Sequence, residues 1–151
     1  PHNPKPGSSR VVSQFIGNIL RGEAIQLVNG GQQRRSFIDI DDGITALIKI
    51  IANEQGCADQ GIFNIGNPSN DISIRELAEL LLELIKTYPN YASHAEKTKL
   101  QTVNSDNYYG KGYQDVERRK PSIKRAQEYL NWQPHINIKT SLKKILDYYL
   151  M

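Results

Sequence analysis

A glycine-rich run followed by two arginines is the first segment of this sequence whose residue types could do chemistry. Residues 29–37 read Asn-Gly-Gly-Gln-Gln-Arg-Arg-Ser-Phe. The two glycines let the backbone approach a ligand closely, and a guanidinium just beyond them can grip a phosphate through its planar fork. The run therefore fits a diphosphate site. A plain hairpin with exposed arginines fits it as well, because the run has neither Walker spacing nor a dinucleotide fingerprint.

A second cluster combines aromatic rings, glycines and cations. Residues 108–119 read Tyr-Tyr-Gly-Lys-Gly-Tyr-Gln-Asp-Val-Glu-Arg-Arg. Rings beside flexible glycines can sandwich a base or a sugar, and the adjacent cations can neutralise an anion. A surface loop that uses tyrosine for packing is the alternative interpretation. No nucleophile and base occur at a recognisable spacing around His2, His94 and His135, so these histidines are predicted to be surface residues.

Composition excludes several classes of protein. The 151 residues are enough for one core, which predicts one compact domain. The net charge of +3 is mild for a nucleic-acid binder, and no apolar run approaches the ~20 residues of a membrane span. The single Cys57 argues against disulfides and a metal site, and it favours a reducing compartment. We predict a cytoplasmic protein without nucleic-acid or membrane partners. The start at Pro1, with the only methionine at Met151, suggests a piece of a longer protein.

Apolar spacing predicts the elements that position the first cluster. A helix is expected from caps at Ser8 and Ser9 to a stop at Gly22. Strands are predicted at residues 25–28 and 36–40, joined by a turn at 29–31.

The middle of the chain continues in a strand, helix, strand order. Asp41 or Asp42 can cap a helix that ends near Asn53. Its predicted apolar face comprises Ile44, Leu47, Ile48 and Ile51. Residues 62–65 are β-prone and are followed by a Gly-Asn-Pro stop. This order is typical of α/β folds.

The elements of the second half are separated by a long polar stretch. Ser73 and Glu76 form a capping box that opens a helix. Residues 88–112 are predicted to be a loop, with a hint of a strand at 100–103. Pro121 suits the first turn of a helix that runs to about Leu130, with Asn131 as its C-cap. A final helix carries Leu142, Ile145, Leu146 and Tyr149.

Several segments together resemble a known family. They are residues 30–42 (Gly-Gly-Gln-Gln-Arg-Arg-Ser-Phe-Ile-Asp-Ile-Asp-Asp), 64–68 (Asn-Ile-Gly-Asn-Pro), 119–126 (Arg-Lys-Pro-Ser-Ile-Lys-Arg-Ala) and 130–134 (Leu-Asn-Trp-Gln-Pro). From about Ser8 onward the chain resembles the C-terminal half of extended short-chain dehydrogenases that act on nucleotide sugars. Residues 108–117 resemble, more narrowly, the decarboxylase domain of bifunctional polymyxin-resistance enzymes, which join a UDP-glucuronate oxidative decarboxylase to a UDP-4-amino-4-deoxy-L-arabinose formyltransferase.

The resemblance implies a fold and a function. Residues 1–151 would be the C-terminal, substrate-binding lobe of an α/β protein of the NAD-binding Rossmann-like superfamily, with the main nucleotide-binding sheet largely missing. The parent enzyme would use NAD to convert UDP-glucuronic acid into a UDP-4-keto-pentose, in the 4-amino-4-deoxy-L-arabinose modification of lipid A that gives polymyxin resistance. It would act as a homo-oligomer.

The resemblance also assigns roles to residues. Arg119 matches the family's proton donor after decarboxylation. Because a guanidinium is a reluctant acid, Arg119 could instead bind the carboxylate or stabilise the enolate while water delivers the proton. Gln26 stands where the family usually has Lys, which removes one cationic contact. The implied substrate-binding residues are Arg10, Gln26, Leu27, Val28, Asn29, Gly30, Gly31, Gln32, Gln33, Arg34, Arg35 and Tyr113.

Two family motifs do not occur in the sequence. There is neither a dinucleotide fingerprint nor a Tyr-x-x-x-Lys pair. NAD would therefore be bound mainly by an N-terminal half outside this sequence, and the isolated chain is expected to be inactive. The helix after Asp42 and residues 63–65 are expected to expose apolar edges. A UDP-xylose synthase, an epimerase or dehydratase, and a non-enzymatic nucleotide-sugar-binding module remain the alternatives.

Overall fold

The computed structural model describes residues 10–59, 61–110, 112 and 115–151. Its helices are α1 (Val11–Arg21), α2 (Ile40–Ala52), α3 (Ile74–Ile85), α4 (Ala92–Lys97), α5 (Ser105–Tyr109), α6 (Lys124–Leu130) and α7 (Ile138–Leu150). Its strands are β1 (Ile25–Val28), β2 (Arg34–Ser36), β3 (Asp71–Ser73), β4 (Leu100–Val103) and β5 (Arg118–Arg119). The chain divides into two compact units. The first comprises the chain up to Gln33, Ser73–Glu117 and Leu142–Met151, and the second comprises Arg34–Ile72 and Arg118–Ser141.

The first unit is built around a parallel strand pair. Strand β1 pairs with β4, with Ile25 opposite Leu100 and Val28 opposite Val103. Helices α1 and α3 contact β1 and each other. The fully buried side chains of this unit are apolar and include Ile16, Ile19, Ile25, Leu27, Leu77, Leu81, Ile85, Leu142 and Leu146. Their burial supplies most of the stabilisation of this unit, since each large aliphatic side chain contributes roughly 1.5–3 kcal/mol.

Local signals in the sequence fix the ends of two helices in the first unit. Gly22 ends α1 in the left-handed region, at φ 70°, as predicted. Ser73 and Glu76 form the predicted capping box: Ser73 Oγ accepts from the Glu76 amide at 3.0 Å, and Glu76 Oε2 accepts from the Ser73 amide at 2.6 Å. The start of α1 differs from the prediction, because Arg10 is its N-cap and makes no side-chain cap bond. Ser8 and Ser9 lie outside the described residues.

The second unit combines a three-stranded sheet with α2 and α6. The strand order is β3-β2-β5. Its buried cluster contains Ala46, Ile123, Ala126, Leu130 and Trp132. Trp132 Nε1 donates to the Asp42 carbonyl at 3.1 Å. The buried Asp42 carboxylate accepts from the His135 and Ile136 amides at 3.1 and 2.9 Å, and so joins α2 to the segment after α6.

Strand β2 and the start of α2 differ from the sequence prediction. Strand β2 ends at Ser36 instead of beginning there, and Asp39, not Asp41 or Asp42, is the N-cap of α2. The Asp39 side chain accepts from the Asp41 amide at 3.0 Å, so the helix begins at Ile40. The predicted hairpin of residues 25–28 with 36–40 is also wrong, because β1 pairs with β4.

Three further predictions need correction. Residues 62–65 form no strand, since a strand needs a hydrogen-bonded neighbour and none of the described residues provides one there. The stretch 88–112, predicted to be a loop, contains α4, the suspected strand β4 and α5. Helix α6 begins at Lys124 rather than near Pro121, while the predicted C-cap Asn131 is left-handed, at φ 44°.

One face of α2 is apolar and exposed. Ile40, Ile44, Leu47, Ile48 and Ile51 have exposed fractions between 44% and 82%. They recur at helical spacing, as an amphipathic helix that packs against another element would have them. The exposed apolar edge expected from the sequence is therefore present on α2. No helix within the described ranges is both long and apolar enough to cross a membrane.

Candidate functional site

The glycine-rich run forms a tight left-handed turn at the end of β1 in the first unit. Asn29, Gly30 and Gly31 have φ values of 48°, 77° and 71°. A Cβ on Gly31 would lie 3.0 Å from the Arg75 amide nitrogen and 3.2 Å from Leu27 Cδ2. Gly31 is therefore required both for its backbone conformation and for the close approach of α3. A Cβ on Gly30 would meet nothing closer than 3.8 Å.

Distant side chains hold this turn in place. Arg75 Nε donates to the Gly30 carbonyl at 3.0 Å, and Asn29 Oδ1 accepts from the Ser105 amide at 3.2 Å. Gln33 Nε2 donates to the Val28 carbonyl at 3.4 Å across the turn. Sequence reasoning missed Arg75 and Ser105, because they lie 45 and 76 residues from their partners and no local pattern links them.

The structure separates the predicted ligand residues of this segment into exposed and buried ones. Gln26 and Gln32 are exposed, and Gln26 is in register with the exposed Gln101 of β4. Leu27 is fully buried, so a ligand contact at this position can come only from its backbone. Gln26, Gln32 and the exposed Asn29 are the side chains of this segment that are best placed to meet a ligand.

The second unit carries four arginines on two paired strands. Strand β2 pairs with β5 in parallel, with Arg34 in register with Arg118 and Arg35 in register with Arg119. In-register residues of a parallel pair share a face, and successive residues alternate between faces. Arg34 and Arg118 therefore lie on one face of the sheet, and Arg35 and Arg119 lie on the other.

Asp71 of β3 forms ion pairs with both arginines of the first of these two faces. Its Oδ2 accepts from Arg118 Nη2 at 2.7 Å and from Arg34 Nε at 3.3 Å, and its side chain is only 6% exposed. Burial acts to raise the pKa of Asp71, but the hydrogen bonds from Arg118 and Arg34 outweigh that effect and hold its pKa below the usual value. Its Oδ1 is buried without a hydrogen-bond partner among the described residues.

The opposite face brings together two of the predicted site residues. Arg35 Nη1 donates to the Arg34 carbonyl at 2.8 Å, which folds the half-buried side chain against its own strand. Arg119 is exposed, and no described residue forms an ion pair with it. Strands in a sheet lie about 4.8 Å apart, so Arg35 and Arg119 are neighbours. Such a pair can bind a carboxylate or a phosphate.

Other predicted residues take different positions. Arg10 is exposed at the start of α1, and Tyr113 lies outside the described residues. The Tyr108 hydroxyl accepts from Gln14 Nε2 at 2.8 Å, and its ring makes an edge contact with Tyr109 at 4.7 Å, so here tyrosine serves packing.

The histidines fit the surface prediction unequally. His135 is exposed, whereas His94 is half-buried, and its Nδ1 finds no partner in the part of the chain that the structure describes. His2 lies outside that part.

The glycine-rich turn is not of the dinucleotide-binding type. The glycine turn at 29–31 leads into β2 instead of opening a helix whose N-terminus could receive a pyrophosphate. No hydride-transfer step is therefore assigned to these residues. Within the described ranges, no group of three His, Cys, Asp or Glu side chains could hold a metal ion.

The fold defines the class of this chain. Helices alternate with short, partly parallel strands, which is an α/β arrangement. It matches part of the Rossmann-like fold of extended short-chain dehydrogenases. Residues 1–66 match the family described as "NAD dependent epimerase/dehydratase family".

Individual solved structures are similar over nearly the whole chain. The PbgP3 protein of Burkholderia pseudomallei is 44% identical, with a TM-score of 0.81 over 97% of this chain and 40% of that one. The UDP-glucose 4-epimerase of Thermotoga maritima, solved with UDP-glucose, is 25% identical, with a TM-score of 0.66 over 97% and 40%. The UDP-glucuronic acid 4-epimerase of Bacillus cereus is 16% identical, with a TM-score of 0.68 over 97% and 41%, and shows the fold alone. The chain thus spans about 40% of the length of the structures it matches.

Proposed function

We propose that this chain is the substrate-binding portion of an NAD-dependent nucleotide-sugar enzyme, namely a UDP-glucuronic acid oxidative decarboxylase of the polymyxin-resistance type. The observation that carries the proposal is the register of Arg119 with Arg35 on the sheet face opposite Asp71. The 44% identity to PbgP3 and the family match over residues 1–66 support the wider assignment.

The arginine pair suits the chemistry of decarboxylation. A 4-keto sugar acid loses carbon dioxide when the bond between C5 and the carboxyl carbon breaks and the electron pair moves into an enolate. Arg119, exposed and cationic, binds the carboxylate before the bond breaks and stabilises the enolate oxygen afterwards. Arg35 adds a second cation on the same face. The enolate carbon then takes a proton from Arg119 or from a water molecule.

The turn of the first unit suits the nucleotide part of the substrate. Its left-handed backbone at Asn29–Gly31 places no bulky side chain over the turn, and the exposed Gln26 and Gln32 offer amide donors and acceptors. These contacts are neutral, so the turn binds UDP through hydrogen bonds.

Binding measurements on the chain test the proposal. Isothermal titration with UDP, UDP-glucose and UDP-glucuronic acid is expected to give the highest affinity for UDP-glucuronic acid. Arg119→Ala is expected to reduce that affinity about tenfold, or ~1.4 kcal/mol, the lower end for a hydrogen bond to a charged group. It should leave UDP affinity unchanged. Lys124→Ala, which removes one exposed cation from the same unit, is the matched control.

Other outcomes would favour the alternatives. Equal affinity for UDP-glucose and UDP-glucuronic acid would refute the decarboxylase and favour an epimerase, to which the 25% identity with a UDP-glucose 4-epimerase already points. Equal affinity for UDP and both sugars would favour a non-enzymatic nucleotide-binding module. If Lys124→Ala reduced the affinity for UDP-glucuronic acid as much as Arg119→Ala does, the preference for this ligand would reflect only the net charge of the chain.

A further inference from the structure

The side chain of Arg118 reaches across the three-stranded sheet of the second unit to the carboxylate of Asp71. Asp71 lies on β3, and β2 separates it from β5, where its partner Arg118 lies. Asp71 Oδ2 accepts from Arg118 Nε at 3.1 Å and from Arg118 Nη2 at 2.7 Å. Both the side chain and the carbonyl of Asp71 accept from Arg34 on the central strand. One carboxylate therefore ties all three strands together on this face.

Strand β5 depends on this tie more than a longer strand would. It consists of Arg118 and Arg119 alone, with two register pairs to β2. Both of its residues are exposed, so no buried side chain anchors it. Two-residue pairings are marginal in water without such an anchor. The hydrogen bonds from the Arg118 side chain to Asp71 are therefore the polar side-chain contact that holds β5 on the sheet.

We propose that Asp71 is a positioning residue for the anion-binding face formed by Arg35 and Arg119. By holding Arg118 on one face, it keeps β5 paired with β2 in the register that places Arg119 on the other face, beside Arg35. It also offsets part of the positive charge of Arg34 and Arg118, which would otherwise form a stronger cationic pair on the opposite face and compete for the same anion. Asp71 touches no ligand and acts only through the strands. The identity of the ligand as UDP-glucuronic acid rests on the proposed function, whereas the positioning role of Asp71 does not.

The test compares Asp71→Asn, which keeps the shape and removes the charge, with Glu128→Gln, which removes an exposed carboxylate from α6 of the same unit. Amide hydrogen exchange reports the pairing of β5 directly. Asp71→Asn is expected to speed exchange at Arg118 and Arg119 about tenfold, and Glu128→Gln is expected to leave it unchanged. Unchanged exchange in Asp71→Asn overturns the proposal.

Ligand-binding measurements distinguish the positioning role of Asp71 from a purely structural one. Asp71→Asn is expected to weaken the binding of UDP-glucuronic acid about tenfold and to strengthen the binding of inorganic pyrophosphate several-fold, because the exposed Arg118 loses its carboxylate partner. In a double-mutant cycle, Asp71→Asn is expected to reduce the affinity for UDP-glucuronic acid only slightly when Arg119→Ala is already present, since both substitutions act through Arg119. Additive losses, or unchanged pyrophosphate binding, overturn the proposal.

Two further variants keep the test decisive. Arg118→Gln breaks the same tie from the exposed partner, whose side chain is 57% accessible, and should reproduce the exchange result if Asp71→Asn does not fold. Asp71→Glu retains the carboxylate and should restore most of the affinity. If the unmodified chain shows no preference for UDP-glucuronic acid, the proposed function fails, and the exchange and pyrophosphate measurements alone decide the role of Asp71.

Discussion

Replacing Gly31 by alanine tests whether the turn after β1 is fixed by the approach of α3. The same substitution at Gly30 is a matched control. Both glycines have similar positive φ values, 71° and 77°, so both substitutions impose the same backbone strain. They differ in their surroundings: a Cβ on Gly31 would lie 3.0 Å from the Arg75 amide nitrogen, whereas one on Gly30 would meet only the end of Gln32 at 3.8 Å.

The expected losses of unfolding free energy follow from two contributions, the backbone strain and the steric contact of the new methyl group. Placing an L-residue in the left-handed region costs roughly 1–2 kcal/mol, which is the whole expected loss for Gly30→Ala. Gly31→Ala carries the same strain and in addition pushes a methyl group against backbone at the first turn of α3. Overpacking of this kind costs typically about 1–3 kcal/mol, so a total of roughly 2–5 kcal/mol is expected. The difference between the two variants is the steric term alone.

Urea unfolding followed by far-ultraviolet circular dichroism measures both losses. The expected result is a lower midpoint for Gly31→Ala than for Gly30→Ala, at an unchanged denaturant dependence. Equal losses would refute the reasoning, because they would show that α3 yields and that only the backbone conformation matters. A loss in Gly30→Ala larger than in Gly31→Ala would show that the turn is restrained from the Gln32 side instead.

Three further predictions concern other parts of the molecule. Burial and the hydrogen bond to Asp147 raise the pKa of Tyr88 to about 12, so alkaline titration of tyrosine absorbance should include a late phase that moves toward pH 10 in Asp147→Asn. Because the folded pKa of Tyr88 is raised, its contribution to stability is complete below pH 10 and is lost as the pH rises toward 12. Asp42→Asn, which weakens acceptance from the His135 and Ile136 amides, should destabilise the fold by roughly 1–3 kcal/mol in thermal unfolding. Ile51→Glu on the exposed face of α2 should lower concentration-dependent self-association in sedimentation velocity without lowering stability, because Ile51 is 82% exposed. A sedimentation coefficient at high concentration that is unchanged by the substitution would count against this face of α2 as the surface through which copies of the chain associate.

The sequence was sufficient wherever a short-range pattern determines the structure. The capping box of Ser73 and Glu76 and the left-handed C-caps at Gly22 and Asn131 depend on residues within one helical turn. The apolar face of α2 is read directly from its spacing. Such features need no knowledge of the rest of the chain.

Strand pairing was not predictable because its partners are far apart. Residues 25–28 look like half of a hairpin, since Asn29-Gly30-Gly31 satisfies the requirements of a tight turn. The turn instead bends toward α3, and β1 finds its partner 75 residues away in β4. Residues 62–65 have β-branched and aromatic side chains, but the described part of the chain offers them no strand partner, and β-propensity without a partner does not make a strand.

The candidate site shows the same limit at the level of single residues. The resemblance could implicate Arg35 and Arg119, but their relation depends on the β2 to β5 register, which no motif encodes. The four positively charged side chains on these two paired strands would repel one another if all of them lay on the same face without a carboxylate. Asp71 forms ion pairs with Arg34 and Arg118 on one face, whereas the alternation of side chains along the strands places Arg35 and Arg119 on the other. In the proposed site, the carboxylate of Asp71 therefore acts on the anion-binding face through the strands that it joins.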